Sequence, residues 1–353
     1  MGGDQLFDYS GAAMPVPADL TALFKTTWEE LARPGNGWTA FEKVGLAAAA
    51  RQSRASGEKP SSQALSGKTV DLVHLMVNAP AEIDRELASA ATDYLGVVRY
   101  VELVGWVSIV IGIDVFQQLL GLEPAPLPQP SAGKPSEVGE VSSLRMRKAW
   151  VPTTGLPLPR FALSAVPRTQ RVANLILDRM YKPQDDRHSS RSIRGLSHTQ
   201  LELVVSTVSY GNRCFYCTLG HLTALRAAAD REGVTLQMGG IVDPDQDTGV
   251  KGGAQLVAMA RSAVSPRPDP STVTNLAREV GQPAAVTAAE VAACFMMINR
   301  IVEATGQPAL TRQRERMRPL LSDLGVLEFP HAGLTTERER PGMIRRVIRK
   351  LRK

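Results

Sequence analysis

Three helical blocks of this sequence occur twice, in the same order, on either side of a proline-rich stretch, and that ordered recurrence restricts the fold more than any single motif. "PADLTALFKTTWEEL", from Pro17, shares its opening proline and apolar spacing with "PRTQRVANLILDRMY", from Pro167. "GWTAFEKVGLAAAARQ", around Glu42, matches "SHTQLELVVSTVSYGN", around Glu202. "VELVGWVSIVIGIDVFQQLLG", ending at Gly121, matches "AAEVAACFMMINRIVEATG", ending at Gly306. Between the two sets, "EPAPLPQPSAGKPSEVGE" breaks the apolar periodicity and reads as an exposed linker. The expectation is an all-α helical bundle of two similar repeats. The first covers residues 15–122, a linker covers 123–150, the second covers 151–310 and a basic tail covers 311–353. The spacing between blocks grows in the second repeat, which puts an insertion there. The Gly- and Asp-rich "GGIVDPDQDTGVKGGA" is the candidate loop.

Composition supports helices. Aromatic residues make up only 5% of the chain while Ala, Val and Leu are plentiful, which favours close helix packing over a sandwich of strands. "SHTQ" is a capping box formed by Ser197 and Gln200, and Leu201, Val204, Val205 and Val208 follow on one helical face. The β-branched "VVSTV" run within that block also suits a short strand. No uninterrupted apolar run reaches the 18 or so residues of a membrane span, and the N-terminus lacks the layout of a signal peptide, so a cytoplasmic location is expected. The net charge of +6 resides in the tail "RERPGMIRRVIRKLRK", whose excess of seven basic residues leaves the body near neutral. That distribution gives no reason to expect nucleic-acid binding. Beyond a solvated terminus, the tail could dock an anionic membrane surface by a weak contact, an acidic partner or nucleic acid.

The chemistry concentrates in "SYGNRCFYCTLGHLTALR", residues 209–226. Three cysteines in a reducing compartment argue against a disulfide framework, and a close pair there points to redox or metal chemistry. Gly211 and Asn212 break one helix, and Asn212 is a suitable N-cap for a second helix beginning at Arg213, with Cys214 in its first turn. Cys214, Cys217 and His221 then share a face. The helix N-terminus, Arg213 and a neighbouring imidazole are expected to lower thiol pKa from about 8.5 towards values between roughly 3.5 and 7.5, an argument that favours Cys214 as the more reactive thiol. A hairpin at Gly211-Asn212 would return the cysteine helix alongside Glu202. That carboxylate lies in an apolar window and needs a partner such as His221 or a water.

Rival readings are weaker on these residues. A zinc site made of Cys214, Cys217 and His221 has no fourth ligand at a customary spacing, and Thr218 stands where c-type haem attachment requires histidine. Asp243, Asp245 and Asp247 alternate like a calcium loop, but the glycine and glutamate of such a loop are out of place. Cys294 reads as core, and His74, His188, His198 and His331 as structural or surface residues.

The pattern Glu202-x11-Cys214-x2-Cys217-x3-His221 resembles the active-site motif of the alkylhydroperoxidase D and carboxymuconolactone decarboxylase family. "AAEVAACFMMINR", with Asn299 and Arg300, looks like a later helix of that family. Duplicated halves with cysteines in the second alone look like its two-repeat members. The resemblance implies a thiol-dependent hydroperoxide reductase, free of metal and bound cofactor. In it Cys217 attacks the peroxide, Cys214 resolves the sulfenic acid to a disulfide, and Glu202 and His221 relay protons. It also implies a dithiol, thioredoxin-type or lipoyl-type reductant and a homo-oligomer, dimer or trimer. Some members carry histidine between the cysteines, where this chain has Tyr216. In the first half Arg54 and Gly57 stand at the places that answer to the cysteines, so that half has no thiol chemistry. A thiol-disulfide adaptor or redox sensor without turnover uses the same residues. A lyase on the same fold does not rest on a cysteine pair.

Overall fold

A computed structural model describes residues 6–136, 143–154, 158–181 and 194–337. The first half comprises α1 (Ala18–Leu31), α2 (Ala40–Ser56), α3 (Gly67–Asn78), α4 (Arg85–Leu95) and α5 (Val97–Leu119). The second comprises α6 (Pro167–Met180), α7 (His198–Gly211), α8 (Phe215–Glu232), the short α9 (Gly239–Val242), α10 (Gly253–Val264), α11 (Ser271–Val280) and α12 (Gln282–Thr305). α13 (Thr311–Asp323) follows, and β1 (Ala309–Leu310) pairs in parallel with β2 (Thr335–Thr336). The chain is all-α, as its composition indicates, and the "VVSTV" run lies wholly within α7.

α5 and α12 form the centre, packed against each other within one continuous apolar cluster that draws on both halves. Both are apolar nearly all round, and such helices must be buried on every side. Residues 100–117 of α5 and 284–305 of α12 are buried. α12 is long and apolar enough to cross a membrane, yet the protein itself encloses it. The apolar girth of both helices is therefore covered inside the chain.

Each central helix begins at a glycine that only glycine can readily supply. Gly96 has φ 77° and ψ 152°, and Gly281 has φ 87° and ψ 155°, a region closed to residues with a Cβ. The Gly96 corner bends the chain by 114° between α4 and α5. α2 and α7 both open on capping boxes, Thr39 with Glu42 and Ser197 with Gln200. Glu42 accepts from the Thr39 N–H at 2.9 Å and hydroxyl at 2.8 Å, and pairs with Arg99 at 2.8 Å.

Three boundaries differ from expectation. The proline-rich stretch is docked along the first half. The Trp28 indole donates to the Pro126 carbonyl at 2.9 Å, Arg51 donates to the Ala125 carbonyl at 2.8 Å, and the Ser131 and Ser136 amides donate to Ala32 and Gly35 at 2.8 and 2.9 Å. Prolines have no N–H to satisfy, so such a segment lies on a protein surface by offering carbonyls. The longer connection of the second half, residues 212–270 against 57–84 in the first, carries the cysteine helix α8 as well as the Gly- and Asp-rich loop, part of which is α9. Finally, residues 311–337 are not a tail but pack as α13 and an irregular arm on α8. The basic cluster at 338–353 and His188 lie outside the described residues.

Two buried arginines cross between the halves. Arg300 of α12 donates to the Val77 carbonyl near the end of α3 at 2.7 Å. Arg54 of α2 donates to the Ala263 and Ser265 carbonyls at the end of α10, at 3.1 and 2.5 Å. Helix C-terminal carbonyls carry negative partial charge and suit a cation. Burial pulls Arg54 down to about 10 and Arg300 to about 9, the latter helped by the positive charge of Arg54 nearby.

Candidate functional site

α7 and α8 pack along one another as a hairpin, and a tight turn connects them. Asn212 closes α7 by donating its N–H to the Val208 carbonyl at 3.0 Å, Arg213 takes a left-handed φ of 54°, and the Cys214 N–H returns to the Ser209 carbonyl at 3.0 Å. Cys214 is consequently the N-cap of α8, which starts at Phe215, and Cys217 is its third residue. The expected start at Arg213 with Asn212 as cap is thus displaced, because the Asn212 side chain is engaged elsewhere. Its amide donates to Asn299 Oδ1 of α12 at 2.9 Å, and the Asn299 amide donates to Ser209 Oγ at 3.2 Å, a buried latch that fixes the turn against α12.

The hairpin brings Glu202 to His221, with Oε2 2.7 Å from Nδ1. Tyr181, at the end of α6, donates to the other carboxylate oxygen at 3.0 Å. The imidazole stands edge-on to Phe295 at 4.7 Å and to Tyr181 at 5.7 Å, so its plane is set by packing as well as by the carboxylate. A carboxylate accepting from Nδ1 holds the hydrogen there and leaves Nε2 as the basic nitrogen. Glu202 is buried and His221 is partly accessible, an arrangement suited to passing protons between solvent and interior.

Both thiols are free and buried. The Cys214 thiol has Cys217 and the Glu303 carboxylate of α12 as neighbours. Burial first, then these two neighbours, push it well above the usual thiol value. The expectation that the helix N-terminus and Arg213 would acidify Cys214 is overturned for that reason. The dipole acts locally, whereas loss of solvent and an adjacent carboxylate both favour the neutral thiol. Arg213 itself points to the surface and pairs with Glu82 at 3.6 Å.

Two residues that sequence reasoning left aside belong here. Glu303, buried near the end of α12, contacts His331 of the C-terminal arm through Oε2 and Nδ1. The His331 ring stands edge-on to Trp150 at 4.9 Å. Burial alone would lower the His331 pKa, but Glu303 outweighs it, aided by the Ile83 carbonyl and Asp84, and the net shift is upward from 6.5. His331 is thus not an isolated structural or surface histidine. Glu303 had a signal in the sequence, a carboxylate inside an apolar helix, the same that marked Glu202. His331 had none. The arm bearing it is fixed by the Phe329–Tyr210 ring contact at 5.4 Å, and α13 before it by Gln313 donating to Thr223 Oγ1 at 2.9 Å.

The remaining candidates play local roles. Cys294 is buried in α12, its thiol pushed up by burial. His74 bonds Ser53 at 2.8 Å, and the Glu232 carboxylate accepts from the His198 N–H at 2.9 Å. Asp243 accepts from the Asp245 N–H and the Gln246 amide, both at 3.0 Å, within its own turn. Among the described residues no three His, Cys, Asp or Glu side chains are grouped to hold a metal ion. An open cleft of about 280 Å³, lined by Trp38, Glu42, Tyr94 and Arg99 among others, lies in the first half and holds no thiol. Compared with known proteins, the chain matches no family model, no curated protein and no solved structure.

Proposed function

We propose that the protein is a thiol-dependent hydroperoxide reductase of the alkylhydroperoxidase D type, with two helical repeats of which the second is catalytic. The observation that carries this reading is the Glu202–His221 contact of 2.7 Å across the α7–α8 hairpin that also holds the cysteine pair. A carboxylate-oriented imidazole and two adjacent thiols are the parts that two-electron peroxide reduction needs. Cys217 as thiolate attacks the terminal peroxide oxygen. Its sulfur gains oxygen, the O–O bond breaks, and His221 with Glu202 supplies the proton that lets the alkoxide leave as alcohol. Cys214 then displaces water from the Cys217 sulfenic acid, and an external dithiol, of thioredoxin or lipoyl type, reduces the disulfide. A raised Cys214 thiol suits a resolving role better than an attacking one.

Two positional correspondences between the halves support the repeat reading. Arg51 stands twelve residues after Thr39 as Ser209 does after Ser197, and Asp114 stands eighteen after Gly96 as Asn299 does after Gly281. Arg51 binds Asp114 at 2.6 and 2.7 Å, while Ser209 binds Asn299 at 3.2 Å. One contact thus recurs in two chemistries. The cytoplasmic setting and the homo-oligomer belong to the same reading.

Burial of both thiols favours a second reading, a redox sensor or adaptor that exchanges disulfides without turning over peroxide. Steady-state loss of tert-butyl hydroperoxide with dihydrolipoamide as reductant separates the two. Wild type should turn over, Cys217→Ser should not, and Cys214→Ser should consume one equivalent and retain a sulfenic acid that dimedone traps. No peroxide loss with wild type would discard the reductase in favour of the sensor.

A further inference from the structure

Tyr181 closes α6 and is half-buried, a setting in which a tyrosine usually lays its ring on the protein and keeps its hydroxyl in water. Here the hydroxyl turns inward. It donates to Glu202 Oε1 at 3.0 Å, while Glu202 Oε2 lies 2.7 Å from His221 Nδ1. The two oxygens of one buried carboxylate are thus divided between partners on different elements, one at the end of α6 and one on α8. The Tyr181 ring also stands edge-on to His221 at 5.7 Å and to Phe295 at 4.9 Å, and those two stand edge-on to each other at 4.7 Å. Each ring of the trio is nearly perpendicular to the other two, which leaves the phenol little room to swing away.

The end of α6 is itself pinned. Arg179, two residues before the phenol, donates to Asp19 of α1 at 2.5 and 2.9 Å and to Glu290 of α12 at 2.8 Å. The carbonyl of Met180, the next residue, accepts from Arg194 at 3.0 Å, and Arg194 also contacts Glu290. A clamp of ion pairs across α1, α6 and α12 therefore sets where the hydroxyl can reach. A donor carried on so rigid a support holds its acceptor in one geometry.

We infer that Tyr181 is the positioning residue of the proton relay: its donation to Oε1 keeps Glu202 charged, and so keeps a hydrogen on His221 Nδ1. The inference rests on the relay assigned above and adds the group that decides where its proton rests. A carboxylate in an apolar interior tends to shed its charge by binding a proton. In that state the carboxyl donates to Nδ1 and the imidazole hydrogen sits on Nε2, the nitrogen that must take the thiol proton. A second donor on the carboxylate favours the charged form, and with it the hydrogen on Nδ1. Nε2 then receives the Cys217 proton as the thiolate forms and returns it to the alkoxide once the O–O bond has broken. The relay ends as it began, with no proton gained or lost.

The test reads the imidazole directly. Reduced full-length protein, isotope-labelled at the histidine nitrogens, is examined by nitrogen NMR, and His221 is assigned by the signals that His221→Gln removes. Wild type should show a hydrogen on Nδ1. Tyr181→Phe keeps the ring and removes only the donor. It should convert a measurable share of His221 to the form with a bare Nδ1, which a change of packing alone would not do. It should also slow the reaction of Cys217 with tert-butyl hydroperoxide by about tenfold to a hundredfold, the worth of one hydrogen bond to a charged group. Because Tyr181 acts through Glu202, adding Tyr181→Phe to Glu202→Gln should slow the reaction little beyond Glu202→Gln alone. A bare Nδ1 in wild type overturns the inference and needs no variant to fold. So does Tyr181→Phe with the wild-type tautomer and rate, or a double variant in which the two losses simply add. If peroxide leaves wild type untouched, but Tyr181→Phe changes the tautomer and slows alkylation of Cys217 by iodoacetamide, the reductase reading falls and this inference stands. If wild type consumes peroxide and Tyr181→Phe leaves the tautomer unchanged, the reductase reading stands and this inference falls.

Discussion

Glu202 and Glu303 are the same kind of residue put to the same kind of use: a carboxylate carried into an apolar interior and matched there with an imidazole. Removing the charge without the shape should expose what Glu202 does. Glu202→Gln leaves His221 without its ionic acceptor and should slow the peroxide step by roughly 10²-fold to 10⁴-fold, measured by stopped-flow loss of peroxide. The Glu303–His331 pair also bears on stability. The His331 pKa is raised on folding, so the pair's contribution is fully present below about 6.5, the unfolded value, and is lost as pH rises through the higher folded value. Urea midpoints of wild type and His331→Asn should therefore differ most in mild acid and converge in alkali. An unchanging difference would contradict the assignment. The two pairs were unequally legible in the sequence. Glu202 and His221 are linked by one hairpin whose break, Gly211-Asn212, is a local signal. Glu303 and His331 meet only because the arm after α13 folds back, and no spacing records that. The Cys214 thiol was misjudged for a related reason: a helix dipole is local, while burial is settled by α12, far along the chain.

At the scale of elements, helix existence was readable and helix ends were not always so. The capping boxes of α2 and α7 are encoded within four residues and appear where the sequence has them. The start of α8 moved by two residues because Asn212 is drawn to Asn299, a partner 87 positions away. The proline-rich stretch was read as a spacer because its composition excludes helix, but composition says nothing about whether carbonyls will find donors such as Trp28 and Arg51. The corners at Gly96 and Gly281 offer a clean test of backbone geometry. A Cβ at either site would meet nothing within 4 Å, so strain alone opposes substitution. Gly96→Ala and Gly281→Ala should each destabilise the protein by about 1–3 kcal/mol in urea unfolding. A change within 0.3 kcal/mol or so would mean that the corner relaxes to an ordinary conformation.

For the whole molecule, the central question is how firmly the halves depend on each other, and Arg54 and Arg300 bear on it most directly. Replacing either by Met leaves buried carbonyls without donors and should cost about 1–3 kcal/mol. The double variant should cost more than the sum of the two, because each single change already relieves the repulsion between the cations, and that relief counts only once. A double-mutant cycle by urea unfolding measures the difference; simple additivity would show that the two charges do not sense each other. The exchange of these arginines also bears on descent. A lineage that shed the half without cysteines and kept only residues 151–310 would lose the donor to its α10 carbonyls, and a second identical copy could not replace it, since that copy has no Arg54. The half without cysteines thereby supplies buried donors that the half with them cannot supply for itself.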